Sequence, residues 1–129
     1  VDSSALVAIL EHESDAAIYA QALANADRLW ISAVNIHETG MAPRARRGEV
    51  AQRRMWRFLI QDDDFEIVAF DERQDREALA AFDRYGKSIN SKAKLNLADR
   101  AAYALARSLN SPLLFKGDDL AATDVEAWV

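Results

Sequence analysis

Four short apolar runs, RLWIS (28–32), FEIVAF (65–70), PLLFK (112–116) and the closing EAWV (126–129), are separated by longer stretches in which apolar side chains recur at helical spacing. Short continuous apolar runs read as strands buried on both faces. Strands that alternate with helices are joined by crossovers, so the pattern predicts an α/β fold with a small, mostly parallel sheet between helical layers. Ligands of such sheets gather beyond the carboxyl ends of the strands. With 129 residues, half of them apolar, and no repeat, low-complexity run or linker, the expectation is one domain over residues 1–129.

The helical segments have legible ends. ALVAIL leads into a first helix, and DAAIYAQALANA forms a second with Ile18, Ala22 and Leu23 turned inward. AVNIHETG and the arginine-rich stretch after it read as two helices broken near Pro43 and Gly48. Asp71 and Gln74 have the spacing of a capping box for a helix to about Tyr85, with Leu79 and Phe82 on its apolar face. GKSINSKAK reads as a loop, after which Asn96 caps LADRAAYALARSL. Leu97, Ala101, Ala104, Leu105 and Ser108 share a stripe on that helix.

Several function classes drop out. There is no cysteine, hence no disulfide framework and no thiolate metal site. No apolar run reaches the roughly 18–20 residues of a membrane span, and no basic leader precedes the first helix, so the chain is expected to be soluble and cytoplasmic. Neither a dinucleotide nor a nucleoside-triphosphate glycine motif is present. HETGM lacks the second histidine of a zinc-protease helix, so His12 and His37 are read as surface or packing residues. Trp30, Trp56 and Trp128 are read as core or interface. A net charge of −5 argues against binding nucleic acid by general electrostatics. Positive charge is nevertheless local: six arginines fall within residues 43–57, and Lys87, Lys92 and Lys94 crowd one loop.

Carboxylates stand near the predicted strand ends. Asp2 follows the first residue, Asp99 lies in the first turn of a helix, and Asp118 and Asp119 follow PLLFK. Each has a structural reading, as a cap or as a complement to the helix dipole. Glu38 is harder to place, since it lies among apolar residues of AVNIHETGMA, where a carboxylate needs a partner such as a hard cation. A single residue before Asp2 is too short for a strand, so the natural chain is expected to begin before Val1.

Taken together, VDSSALVAIL, ISAVNIHETG, LNLADRAAYALA and PLLFKGDDLAATDV resemble, in order, the four acidic segments of PIN-domain toxins of the VapC type, and RYGK (84–87) fits the same subgroup. The resemblance implies a PIN-domain α/β/α fold with about five strands. It also implies a Mg²⁺- or Mn²⁺-dependent endoribonuclease held in check by a VapB-type antitoxin. Asp2, Glu38 and Asp99 match the three acids common to the family's metal site. Asp118 is the first choice for the fourth, with Asp119 and Asp124 as alternatives, and Ser4 matches a serine that supports the first acid. Ser3 stands where threonine is commoner and Ala98 where glycine is frequent. Arg100 is expected to point away from the site. RNA contacts are expected from Lys116, Arg44, Arg46 and Arg47. A homodimer is expected too, with its contact among residues 33–60, where Met55, Trp56 and Leu59 would form either a patch or core. Two other readings remain at this stage. One is a catalytically silent PIN-fold binding partner; the other is a receiver-like phosphoacceptor, which would require paired acids after the first strand.

Overall fold

The computed structural model describes residues 1–62 and 65–129. Its elements are α1 (Ser3–Leu10), α2 (Ala16–Ala24), β1 (Trp30–Ser32), α3 (Ala33–Arg57), β2 (Glu66–Val68), α4 (Glu72–Tyr85), α5 (Leu97–Leu109) and α6 (Asp118–Ala121). A π-helical turn, Phe58–Asp62, continues from α3.

β1 and β2 pair in parallel, with Trp30, Ile31 and Ser32 opposite Glu66, Ile67 and Val68. A parallel pair needs a crossover, and α3 supplies it. Backbone bonding continues beyond this pair. The Val1 amino group donates to the Trp30 carbonyl at 2.7 Å, and the Asp2 N–H to the Leu114 carbonyl at 2.8 Å. Leu113 forms a parallel bridge with Ala127. The extended segments therefore run in the order β2, β1, 1–2, 113–114, 126–128. Only the first two are strands among the described residues, where about five were expected. Caps mark where two of these segments give way to helices: Ser32 ends β1 by accepting from Val34 N–H, and Asp2 accepts from Ser4 N–H at the start of α1.

The two sides of this array bury separate clusters. Leu6, Tyr19, Leu23, Ile31, Ile36, Met55, Leu59 and Leu114 belong to one, under α1, α2 and α3; Ala81, Leu95, Ala102, Tyr103, Ala106 and Leu113 belong to the other, between α4 and α5. The neighbours Leu113 and Leu114 fall in different clusters, as alternation along an extended segment requires. The result is the expected α/β/α layering.

Several helix faces differ from expectation. Ile18, Leu79 and Leu97 are exposed, and Phe82 is only half-buried. On α4 the buried line is Gln74, Ala78 and Ala81 instead. Alanines on α4 and α5 let the two helices approach closely, and the longer side chains are left outside. Asp71 caps α4 by accepting from Gln74 N–H, but the Gln74 amide turns inward to Ser108 at 2.8 Å, so only half of the capping box forms. Asn96 and Asp99 make the full box.

α3 is continuous through Pro43, and its break lies at Gly48 alone (φ 73°, ψ −163°). Pro43 removes only the donor to the Thr39 carbonyl, whereas Gly48 occupies a region essentially closed to side chains. Past that kink the chain returns along α3: a Cβ added to Gly40 would lie 3.4 Å from Met55 Cε. Met55 and Leu59 are therefore core, and of the expected contact trio only Trp56 reaches the surface. A side chain at Gly48 would meet no atom within 4 Å, so its cost is conformational. Gly48→Ala should lower stability by about 1–3 kcal/mol, read as a shift in urea midpoint with an unchanged m-value.

Candidate metal centre

Asp2 is a cap and a candidate ligand at once. It is 2% exposed. Its Oδ2 accepts from the Ser4 N–H at 2.9 Å and from the Ser4 hydroxyl, and its Oδ1 accepts from Asn35 Nδ2 at 2.9 Å. With both oxygens held, the carboxylate cannot turn. Ser4 Oγ also accepts from the Lys116 N–H at 2.9 Å, which ties α1 to the segment leading into α6.

The other acids come from α3 and α5. Glu38 is half-buried, as its apolar surroundings suggested, and the partner it finds is the Ser3 hydroxyl, which donates to Oε2. Asp99 uses Oδ2 to accept from the Asn96 N–H at 2.8 Å, while Asn96 Oδ1 accepts from the Asp99 N–H at 3.0 Å. This capping box fixes the side chain at the start of α5. Asp2, Ser3, Ser4, Glu38, Asn96, Asp99, Glu13 and Lys116 line one groove of about 480 Å³.

The electrostatics mark this groove. Burial pushes the Asp99 carboxyl up to about 6, and the charges of Asp2, Glu38 and Asp119 add to the rise, against a lowering from its Asn96 hydrogen bond. Among the described residues, no three acidic or histidine side chains converge in a geometry that already encloses an ion. The donor set is nonetheless all oxygen, with three carboxylates facing one groove and the charges of Asp2 and Glu38 opposing the ionisation of Asp99. That is the chemistry a hard divalent cation relieves, so the residues fit such an ion.

The remaining candidates are dispersed. Asp118 and Asp119 are exposed in the first turn of α6 and neither lines the groove, although the charge of Asp119 contributes to the rise of the Asp99 carboxyl. Asp124 lies elsewhere: it accepts from the Tyr103 hydroxyl at 2.6 Å and from Arg84 at 3.2 Å, which hold its carboxyl below the usual range. Lys116 stands at the groove but is paired with Glu13 and Asp15, and those bonds raise its pKa. Arg46 and Arg47 both pair with Glu11, and Arg44 donates to Gln52 at 2.8 Å. The four expected RNA contacts therefore all have intramolecular partners. Arg100 turns from the groove toward Phe82, 5.0 Å from the ring centre. His37 and His12 are exposed. In the sequence Ser3 was noted without its role toward Glu38, and Asn35 was missed. Asn35 had a signal, since it precedes Glu38 by three residues and so shares its helix face.

A family model for the PIN domain matches residues 1–126. Ribonuclease VapC28 of Mycobacterium tuberculosis is 42% identical over 126 residues, which cover 98% of this chain and 94% of that protein. Ribonuclease VapC of Mycolicibacterium smegmatis is 39% identical over 127 residues, 98% of this chain and 97% of its own. The crystal structure of Mycobacterium tuberculosis VapC20, a sarcin-ricin loop cleaving toxin, superposes with a TM-score of 0.75 over 98% of this chain and 95% of its own. At 17% identity that likeness is one of fold.

Proposed function

The chain belongs to the PIN-domain family, and from that membership we propose that it is a VapC-type toxin, an endoribonuclease that cleaves RNA with the help of divalent cations. The observation that carries the reading is the groove itself, where Asp2, Glu38 and Asp99 arrive from three elements and Asp99 is pushed up to about 6 by burial and by its acidic neighbours.

Asp2, Glu38 and Asp99 are the residues that would hold the cation, Mg²⁺ or Mn²⁺. As the fourth acid Asp119 is preferred to Asp118, because its charge already acts on Asp99. When bound, the cation supplies positive charge at the scissile phosphate and activates the attacking water. The chain's own residues prepare that place. Ser4 and Asn35 hold the Asp2 carboxylate, Ser3 holds Glu38, and the Asn96 cap holds Asp99. Burial of Asp2 and half-burial of Glu38 and Asp99 limit competing water and strengthen their pull on a cation. An overall acidic protein can work on RNA in this way, since positive charge is needed only at the groove. The same reading gives the chain a VapB-type antitoxin as partner, a second copy of itself, and the cytoplasm as its place of action.

The test is induction in a bacterial host without antitoxin. Growth should stop, and RNA from the arrested cells should carry new internal ends. Glu38→Gln, close in size but uncharged, should permit growth and leave the RNA intact. Equal arrest by Glu38→Gln would remove the metal-acid account.

A further inference from the structure

Asn35 is fully buried in α3, and it is polar where three site elements meet. Its Nδ2 donates to Asp2 Oδ1 at 2.9 Å and to the Ala98 carbonyl at 3.1 Å, with Ser3 Oγ further off at 3.4 Å. Ala98 immediately precedes Asp99 in the first turn of α5, and Glu38 lies one turn along α3 from Asn35. One amide thus joins the beginnings of α1 and α5 to the helix that carries the third acid.

The orientation of this amide is determined by its surroundings. The reverse flip would set Oδ1 against the Asp2 carboxylate and the Ala98 carbonyl, acceptor against acceptor. In the orientation adopted, Oδ1 is buried with no hydrogen-bond partner among the described residues. A bare buried acceptor is unfavourable, so packing alone does not account for an asparagine here. What the side chain accomplishes is geometric. The amide holds Asp2 by one oxygen and α5 by its first-turn carbonyl, and so ties together two elements that each bring a carboxylate to the groove.

We infer that Asn35 is a positioning residue for the metal centre: it sets the separation of the Asp2 and Asp99 carboxylates through α5, touching neither cation nor RNA. The inference rests on the reading of the groove as a metal centre given above. Groups that orient metal ligands typically change metal affinity or activity by about 10–100-fold when removed.

The experiment is titration calorimetry of antitoxin-free protein with Mn²⁺, parent beside Asn35→Ala, with thermal unfolding of each in the same buffer. The Mn²⁺ Kd of the folded variant should rise by about 10–100-fold, while the KM for RNA at saturating Mn²⁺ stays within about twofold. An unchanged Kd in a folded variant overturns the assignment. Should Asn35→Ala fail to fold, the Asn35 side-chain amide signals of the ¹⁵N-labelled parent answer the same question: they should exchange slowly and move on saturation with Mg²⁺. Signals that stay in place overturn it. The nuclease reading is separable, because a parent that binds Mn²⁺ and cleaves no RNA loses that reading while the Kd ratio still decides the role of Asn35.

Discussion

Asp99→Asn should reduce RNA cleavage by about three orders of magnitude, equivalent to about 4 kcal/mol of transition-state stabilisation, and should leave the fold intact. The substitution is close to isosteric. An asparagine oxygen can still accept from the Asn96 N–H, so the cap of α5 survives, and the new NH₂ takes the place of Oδ1, which has no hydrogen-bond partner among the described residues. What disappears is the charge. The same change should stabilise the metal-free protein at neutral pH. Burial pushes the Asp99 carboxyl from its ordinary 3.8 up to about 6 in the folded state, so the folded state binds its proton more tightly than the unfolded state. The carboxyl therefore begins to cost stability as pH rises past the unfolded value, and the cost is complete above about 6. Two pKa units correspond to about 3 kcal/mol; half-exposure and solvent screening reduce this to about 1–2 kcal/mol. Metal-free Asp99→Asn should thus melt a few degrees above the parent at pH 7.5, and the two should coincide near pH 4. Divalent cation should close the gap at pH 7.5 by stabilising the parent alone. A variant both inactive and less stable at every pH would mean that Asp99 acts as a cap and nothing more.

Leu6→Ala should have the largest effect on stability, a loss of about 2–5 kcal/mol. Leu6 is fully buried on α1 and belongs to the cluster that contains Ile31, Leu114 and Met55. Truncation there removes apolar burial and leaves a cavity bordered by the sheet, which cannot collapse without moving α1. A domain of this size has about 5–15 kcal/mol in total, so the urea midpoint should fall markedly while the m-value stays the same. Because α1 begins at Asp2, activity should fall in parallel with the folded fraction and be normal per folded molecule. Disproportionate loss of activity would show that α1 moves in the folded state and carries Asp2 with it.

The alternation of strands and helices was legible because both periods are written in large side chains: RLWIS and FEIVAF contain β1 and β2, and the caps at Asp71 and Asn96 start helices where expected. Helix faces were less legible. Alanine carries little hydrophobic signal, so Ala78 and Ala81 were passed over in favour of Leu79, which the close packing of α4 on α5 leaves outside. Strand lengths were overestimated at the flanks of the apolar runs: of RLWIS and FEIVAF only Trp30–Ser32 and Glu66–Val68 pair, over the three-residue register that the two segments share. The acids divide in a similar way. Asp2 and Asp99 have local caps at Ser4 and Asn96, whereas Asn35 on Asp2 and Ser3 on Glu38 lie 33 and 35 residues away in sequence, and the convergence of the three acids on one groove follows from the βα connections. Asp124 looks equivalent in sequence, and only the tertiary structure brings Tyr103 and Arg84 to it. The pairing of Arg46 and Arg47 with Glu11 likewise spans a separation that no local pattern reports.

The most direct test is cleavage of total cellular RNA by purified, antitoxin-free protein, with Mg²⁺ in one reaction and EDTA in the other, beside Asp99→Asn under both conditions. Discrete fragments that form only with Mg²⁺ and only with the parent are the predicted result. Cleavage that persists in EDTA, or equally in Asp99→Asn, would contradict a metal centre built on these carboxylates.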